Sequence, residues 1–158
     1  MPIPAAGELA PDFTATMDDG STLALSSLRG SPVVLFFYPK DDTPGCTVEA
    51  CAFQTSIPRF DGLKARIIGV SPDPAKKHVK FKQKFGLTYP LVADTEHAVC
   101  DQYGVWAEKS MWGKKYWGVN RTTFLIDAKG RIARVFEKVK PEGHADEVAE
   151  AVGALSHK

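Results

Sequence analysis

Pro32-Val33-Val34-Leu35-Phe36-Phe37-Tyr38 runs directly into Pro39-Lys40-Asp41-Asp42-Thr43-Pro44-Gly45-Cys46-Thr47-Val48-Glu49-Ala50-Cys51. The first part of this stretch is almost wholly apolar and rich in β-branched and aromatic side chains. It therefore reads as a strand buried on both faces, at the centre of a sheet. A polar loop follows, and Thr43-Pro44 offers a capping hydroxyl and then a proline for the first helical position. The helix is expected from about Gly45 to Ser56 and ends or kinks near Pro58, because proline disfavours helical geometry in the residue before it.

On the N-terminal side, Phe13 to Met17 and Thr22 to Leu25 flank the turn Asp18-Asp19-Gly20 and predict a β-hairpin. On the C-terminal side, Arg66 to Ser71, centred on Ile67-Ile68-Gly69-Val70, is a second core strand. Asp73 reads as an N-cap with Pro74 in the first turn and Gly86 as the stop, giving a helix over 74–85. Pro90 to Ala93 is a short strand, and Glu96 to Tyr103 a short helix closed by Gly104. Trp106 to Val119 is aromatic and basic without a decisive period, so no element is assigned to it. Thr122 to Asp127 and Arg131 to Val139 pair through Ala128-Lys129-Gly130, and Val148, Val152 and Leu155 form the buried stripe of a last helix. The expected architecture is α/β with a mixed central sheet, as one domain over residues 1–158.

Composition narrows the function. Hydrophobic residues are 44% and charged residues 25%, an ordinary globular balance. A formal charge of +1 gives no field for drawing in nucleic acid or an acidic membrane, and a small neutral substrate suits it better. The start, Met1-Pro2-Ile3-Pro4, has neither a basic nor an apolar leader pattern, and no later run approaches a membrane span, so the expected location is the cytoplasm. Three cysteines without a secretion signal argue for reactive or buried thiols rather than a disulfide framework.

Cys46 is the thiol in a chemically poised place. Unpaired N–H groups at a helix start, with the positive end of the dipole, favour a thiolate there. Arg121, at the mouth of a predicted strand, is the candidate cation, since its planar fork can hold a thiolate and a substrate oxygen together. Ionisation alone is not enough for catalysis: a thiol of ordinary pKa is already roughly 3% ionised at pH 7, so full ionisation gains only about 30-fold. Further acceleration requires donors aimed at the charge that develops on the group the thiolate displaces. Thr43, Arg121 and the backbone N–H groups around Cys46 are suited to this, although Thr43 could instead cap the helix and Arg121 could be a surface strand residue.

Pro39-x-x-x-Thr43-x-x-Cys46 resembles the active-site motif of the peroxiredoxins. Phe36 to Lys40, Thr43 to Thr47, Glu49, Met111 to Tyr116 and Arg121 to Asp127 resemble in particular the bacterioferritin comigratory protein, or peroxiredoxin Q, group. The likeness extends from about Leu9 to Val152. It implies a thioredoxin-like fold, which the element order fits, with no bound cofactor or metal. It further implies Cys46 as the peroxidatic cysteine shielded by Pro39, peroxide binding by Thr43 and Arg121, and supporting roles for Glu49 and Gly45. Cys51 matches one placement of the resolving cysteine in that group. The implied reaction is reduction of hydrogen peroxide and organic hydroperoxides through a Cys46 sulfenic acid and a Cys46–Cys51 disulfide. Thioredoxin or a glutaredoxin-like protein would regenerate the thiols, and the chain would act as a monomer. In an intact helix, residues five apart lie roughly 8–9 Å apart at Cα, and a disulfide tolerates about 7 Å, so the first turns are expected to unwind after oxidation.

Other readings fit less well. Thiol–disulfide exchange normally uses Cys-x-x-Cys, whereas Cys46 and Cys51 are further apart. A zinc module drawing on Cys46, Cys51, Cys100, His78, His97, His144 and His157 lacks the usual paired spacing. Cys100 reads as a packed thiol. The lysines of Lys76 to Lys84 read as a solvated helix face, and Trp106, Trp112, Tyr116 and Trp117 most simply as packed side chains.

Overall fold

The apolar run becomes the third strand of the chain. The computed structural model describes residues 3–155. Its elements are β1 (Thr14–Thr16), β2 (Thr22–Ala24), β3 (Val33–Phe37), α1 (Pro44–Thr55), α2 (Ile57–Gly62), β4 (Arg66–Ser71), α3 (Ala75–Phe85), β5 (Leu91–Ala93) and α4 (Ala98–Gln102), followed by β6 (Trp106–Met111), β7 (Lys114–Val119), β8 (Thr122–Ile126), β9 (Ile132–Phe136) and α5 (His144–Leu155).

The central sheet has the order β5-β4-β3-β8-β9. β3 pairs in parallel with β4, and antiparallel with β8, so the sheet is mixed as the sequence suggests. Every residue of β3 is buried. Val34, Phe36 and Tyr38 enter one core with Phe53, Phe60, Phe81 and Val148, while Val33, Leu35 and Phe37 enter the other with Val99, Tyr103 and Phe124. Alternation along a strand thus feeds two cores from one sequence run. Phe36 stacks on Phe53 at 4.7 Å, which seats α1 against the sheet. Gly69 lies where β4 passes this stack: a Cβ there would sit 2.9 Å from Phe36 Cζ and 2.7 Å from Leu91 Cδ2.

Several local expectations are corrected. Asp73 does not cap α3; the N-cap is Pro74, without a side-chain bond, and Asp73 is turned inward to accept from the Asp41 amide and the Ser71 hydroxyl. α4 starts later than its pattern implies, because His97 is left-handed and Asp94 receives the amides of Val99 and Cys100. Near Pro58 the first helix ends and α2 begins. The unassigned segment forms the β6–β7 hairpin, turning at Trp112 and Gly113, both with positive φ. Its aromatics are not packed as a group: Trp106 stacks on His97, but Trp112 is 93% and Trp117 59% exposed. Among the described residues, no helix is long and apolar enough to cross a membrane. His157 lies outside the described residues.

Candidate active site

β3 delivers the chain to the C-terminal end of its strand at the centre of the sheet, and the loop Pro39–Thr43 turns it into α1. Thr43 is the N-cap residue in extended geometry and Pro44 opens the helix, so the amides of Gly45 and Cys46 fall in the turn that has no intrahelical acceptors. The Thr43 hydroxyl does not cap; it donates to the Lys40 carbonyl at 2.8 Å. That bond leaves the oxygen's lone pairs as acceptors. Pro39 is half-buried at the start of the loop.

Cys46 and Glu49 are one turn apart on the same face of α1, both 1% exposed. Arg121, just before β8, reaches both of them. Its Nη2 donates to Cys46 Sγ at 3.2 Å, and its Nη1 to Glu49 Oε1 at 2.7 Å. The guanidinium is therefore a fork with one tine on the sulfur and one on the carboxylate. Burial disfavours its charge, but Glu49 and Cys46 more than offset this and raise its pKa. Gly45 makes room for the fork, since a Cβ there would lie 3.2 Å from Arg121 Nη2 and 3.5 Å from Pro141 Cγ.

Burial pushes the Glu49 carboxyl up to about 7, opposed by its charge interaction and hydrogen bond with Arg121. Its second oxygen, Oε2, has no hydrogen-bond partner among the described residues and lies 4.0 Å from His144 Nε2. His144, buried at the start of α5, contacts Thr123 Oγ1 through Nε2 at 2.8 Å and the Glu147 carboxylate through Nδ1 at 2.6 Å. Burial lowers its pKa, with Glu147 opposing. Lys109 of the hairpin donates to the Val119 carbonyl; burial and then Arg121 lower its pKa, while Cys46 raises it. The sequence alone assigns Lys109 no role and offers His144 only as a candidate zinc ligand: each is a lone basic residue far along the chain, and only the fold brings it toward the site.

Cys51 is a free, half-buried thiol on the same unbroken helix as Cys46, and burial raises its pKa. Cys100 is fully buried within α4, its thiol pushed up by desolvation and then by Asp94.

A reduced cysteine at a helix start, touched by a guanidinium and backed by a buried carboxylate, is the setting of a thiol nucleophile. The sequence model of the AhpC/TSA family matches residues 6–135. The chain belongs to the AhpC/TSA family. Within this family it is similar to peroxiredoxin Bcp of Bacillus subtilis, 46% identical over 152 residues that cover 96% of this chain and 97% of the relative. Peroxiredoxin Bcp of Escherichia coli K12 is 41% identical over 143 residues, covering 90% and 92% of the two chains. Among solved AhpC/TSA structures, the Xanthomonas campestris bacterioferritin comigratory protein, described for its alkyl peroxide reduction activity, superposes with a TM-score of 0.90 at 39% identity over 96% of this chain and 99% of that one. A Xylella fastidiosa peroxiredoxin Q variant gives 0.92 at 33% identity over 99% of each chain. The fold is thus thioredoxin-like and the chain is a peroxiredoxin of the Bcp, or peroxiredoxin Q, group.

Proposed function

We propose that the chain reduces hydrogen peroxide and organic hydroperoxides, with Cys46 as the nucleophile and Cys51 as the resolving thiol. The observation that carries this reading is the Arg121 Nη2 to Cys46 Sγ bond, in a guanidinium whose other end is tied to buried Glu49.

In the first step the Cys46 thiolate attacks the proximal peroxide oxygen. The S–O bond forms as the O–O bond breaks, and the distal oxygen leaves as water or an alcohol after taking a proton. Arg121 has more N–H donors than the two it spends on Cys46 and Glu49, and these suit the peroxide oxygens. The Thr43 oxygen, its proton committed to Lys40, can accept the proton of the incoming hydroperoxide. Pro39, at the loop's start, fits the shielding role.

In the second step the Cys51 sulfur displaces hydroxide from the sulfenic acid, giving a disulfide and water. The intact helix keeps the pair too far apart, so the first turns of α1 open. Tyr89 donates its hydroxyl to the Ala50 carbonyl at 2.8 Å, and Gln54 Nε2 donates to Thr88 Oγ1 at 3.0 Å. These contacts support an opening confined to the first turns, with the Cys51 end held. A dithiol protein, thioredoxin or a glutaredoxin-like partner, then reduces the disulfide. We place the protein in the cytoplasm as a monomer.

The test is peroxide consumption by wild type and Cys46→Ser with a thioredoxin system. Loss of consumption in the serine variant is expected, and equal rates would refute the assignment.

A further inference from the structure

The loop that presents Pro39 and Thr43 is gripped from behind by a buried polar cluster that the chemistry described above does not use. Tyr38 and His78 are 0% exposed, Asp73 7% and Asp41 8%. Tyr38 donates its hydroxyl to Asp41 Oδ1 at 2.6 Å, and the Asp41 amide donates to Asp73 Oδ2 at 2.7 Å. Ser71 donates to the same Asp73 oxygen at 2.8 Å. His78, from α3, sets Nδ1 2.6 Å from Asp41 Oδ2 and Nε2 2.9 Å from the Val92 carbonyl.

The partners of His78 fix where its protons lie. A carbonyl oxygen only accepts, so Nε2 carries a proton. Nδ1 faces a carboxylate oxygen at 2.6 Å, where two bare lone pairs would repel, so a second proton lies between them. A buried hydrogen bond therefore joins His78 of α3 to Asp41 of the loop. Breaking such a buried pair by deleting one partner is strongly destabilising, yet the intact pair adds little over apolar packing. Its gain is placement, and what it places is the peroxide loop. The adjoining residue Asp42 is left-handed, with φ at 57°, and takes a 2.8 Å bond from Lys84 of the same helix.

We propose that Asp41 and His78 are positioning residues for the peroxide step: through their hydrogen bond, α3 holds the loop so that Pro39, Thr43 and the first turn of α1 stand ready around the Cys46 sulfur. This rests on the peroxidase reading above and deepens it. The pair acts on Cys46 oxidation, since it orders the loop before peroxide arrives. It has no part in bringing Cys51 to the sulfenic acid.

The experiment measures two rates by stopped flow, Cys46 oxidation by hydrogen peroxide and the following disulfide closure. It compares wild type, Asp41→Ala/His78→Leu and Asp41→Asn. The double variant removes both members of the pair together and so leaves no uncompensated charge, while the Tyr38 hydroxyl loses its acceptor, so its fold is checked by circular dichroism. It should oxidise about 10-fold more slowly or worse, with closure not slowed. Asp41→Asn can donate to Nδ1 while accepting from Tyr38, so it should keep its oxidation rate within about 3-fold of wild type. A double variant that oxidises as fast as wild type, or a folded Asp41→Asn that loses as much as the double variant, would overturn the proposal. If the double variant fails to fold, Tyr38→Phe/Asp41→Ala/His78→Leu, which also removes the hydroxyl left without its acceptor, is read at the same rates with the same expected and overturning results. The wild-type rate judges the peroxidase reading, and the ratios between variants judge this one.

Discussion

Arg121 ties itself to Glu49 through a single carboxylate oxygen, 2.7 Å from Nη1, and leaves the second oxygen buried without a partner among the described residues. A half-satisfied buried carboxylate destabilises the fold when charged. The same contact orients the guanidinium that touches Cys46, so the cost falls where it fixes the geometry proposed for the peroxide step.

That cost has a pH signature. The Glu49 carboxyl rises from an ordinary 4.5 to about 7, so the folded chain binds this proton more tightly than the unfolded chain does. On this group alone stability is greatest below pH 4.5, falls as pH rises from 4.5 to about 7, and levels off above. The full change is on the order of 3 kcal/mol. Urea unfolding of wild type and Glu49→Gln across this window should show the wild type losing ground to the variant as pH rises. Parallel curves would contradict the assignment.

Gly45→Ala should injure chemistry more than stability. The added methyl would press on Arg121 Nη2, the atom that donates to the Cys46 sulfur. The expected result is a fall of about 10-fold or more in the Cys46 oxidation rate with a change in unfolding free energy of about 1 kcal/mol or less. An unchanged oxidation rate would show that the fork tolerates displacement.

Arg121→Lys should not rescue Arg121→Ala. One ammonium keeps the charge but cannot reproduce the planar fork that reaches Cys46 and Glu49 together. Both variants are expected to oxidise roughly 100-fold or more slowly than wild type with hydrogen peroxide. A lysine variant near the wild-type rate would mean that charge alone matters.

Cys51→Ser should separate the two steps. Cys46 oxidation by one equivalent of peroxide is expected to stay within about 3-fold of wild type, while turnover with a thioredoxin system collapses. Undiminished turnover would remove Cys51 from the cycle.

The legible parts of the fold are those written in contiguous residues. The run from Val33 to Phe37 is a core strand because each face meets its own core, and the motif from Thr43 to Cys46 places the thiol at a helix start. The hairpin of β6 and β7 was illegible because most of its residues face solvent, so no burial period marks it. Asp73 has the composition of a cap, but the Asp41 amide, distant in sequence, competes for its carboxylate. His78 looks like one more basic residue in a lysine-rich helix, and its partner Asp41 like one more loop acid. Their pairing across 37 positions exists only once α3 packs beneath the loop. Arg121 was legible through its motif, whereas His144, which lies near Glu49 only through the docking of α5, was not.

The most direct measurement is intact-mass spectrometry with peptide mapping on reduced protein treated with one equivalent of hydrogen peroxide. Loss of two hydrogen atoms, localised to a crosslink between the peptides of Cys46 and Cys51, is expected, with no such product from Cys46→Ser. A protein that leaves Cys46 as a free thiol while oxidising elsewhere would contradict the peroxidase reading.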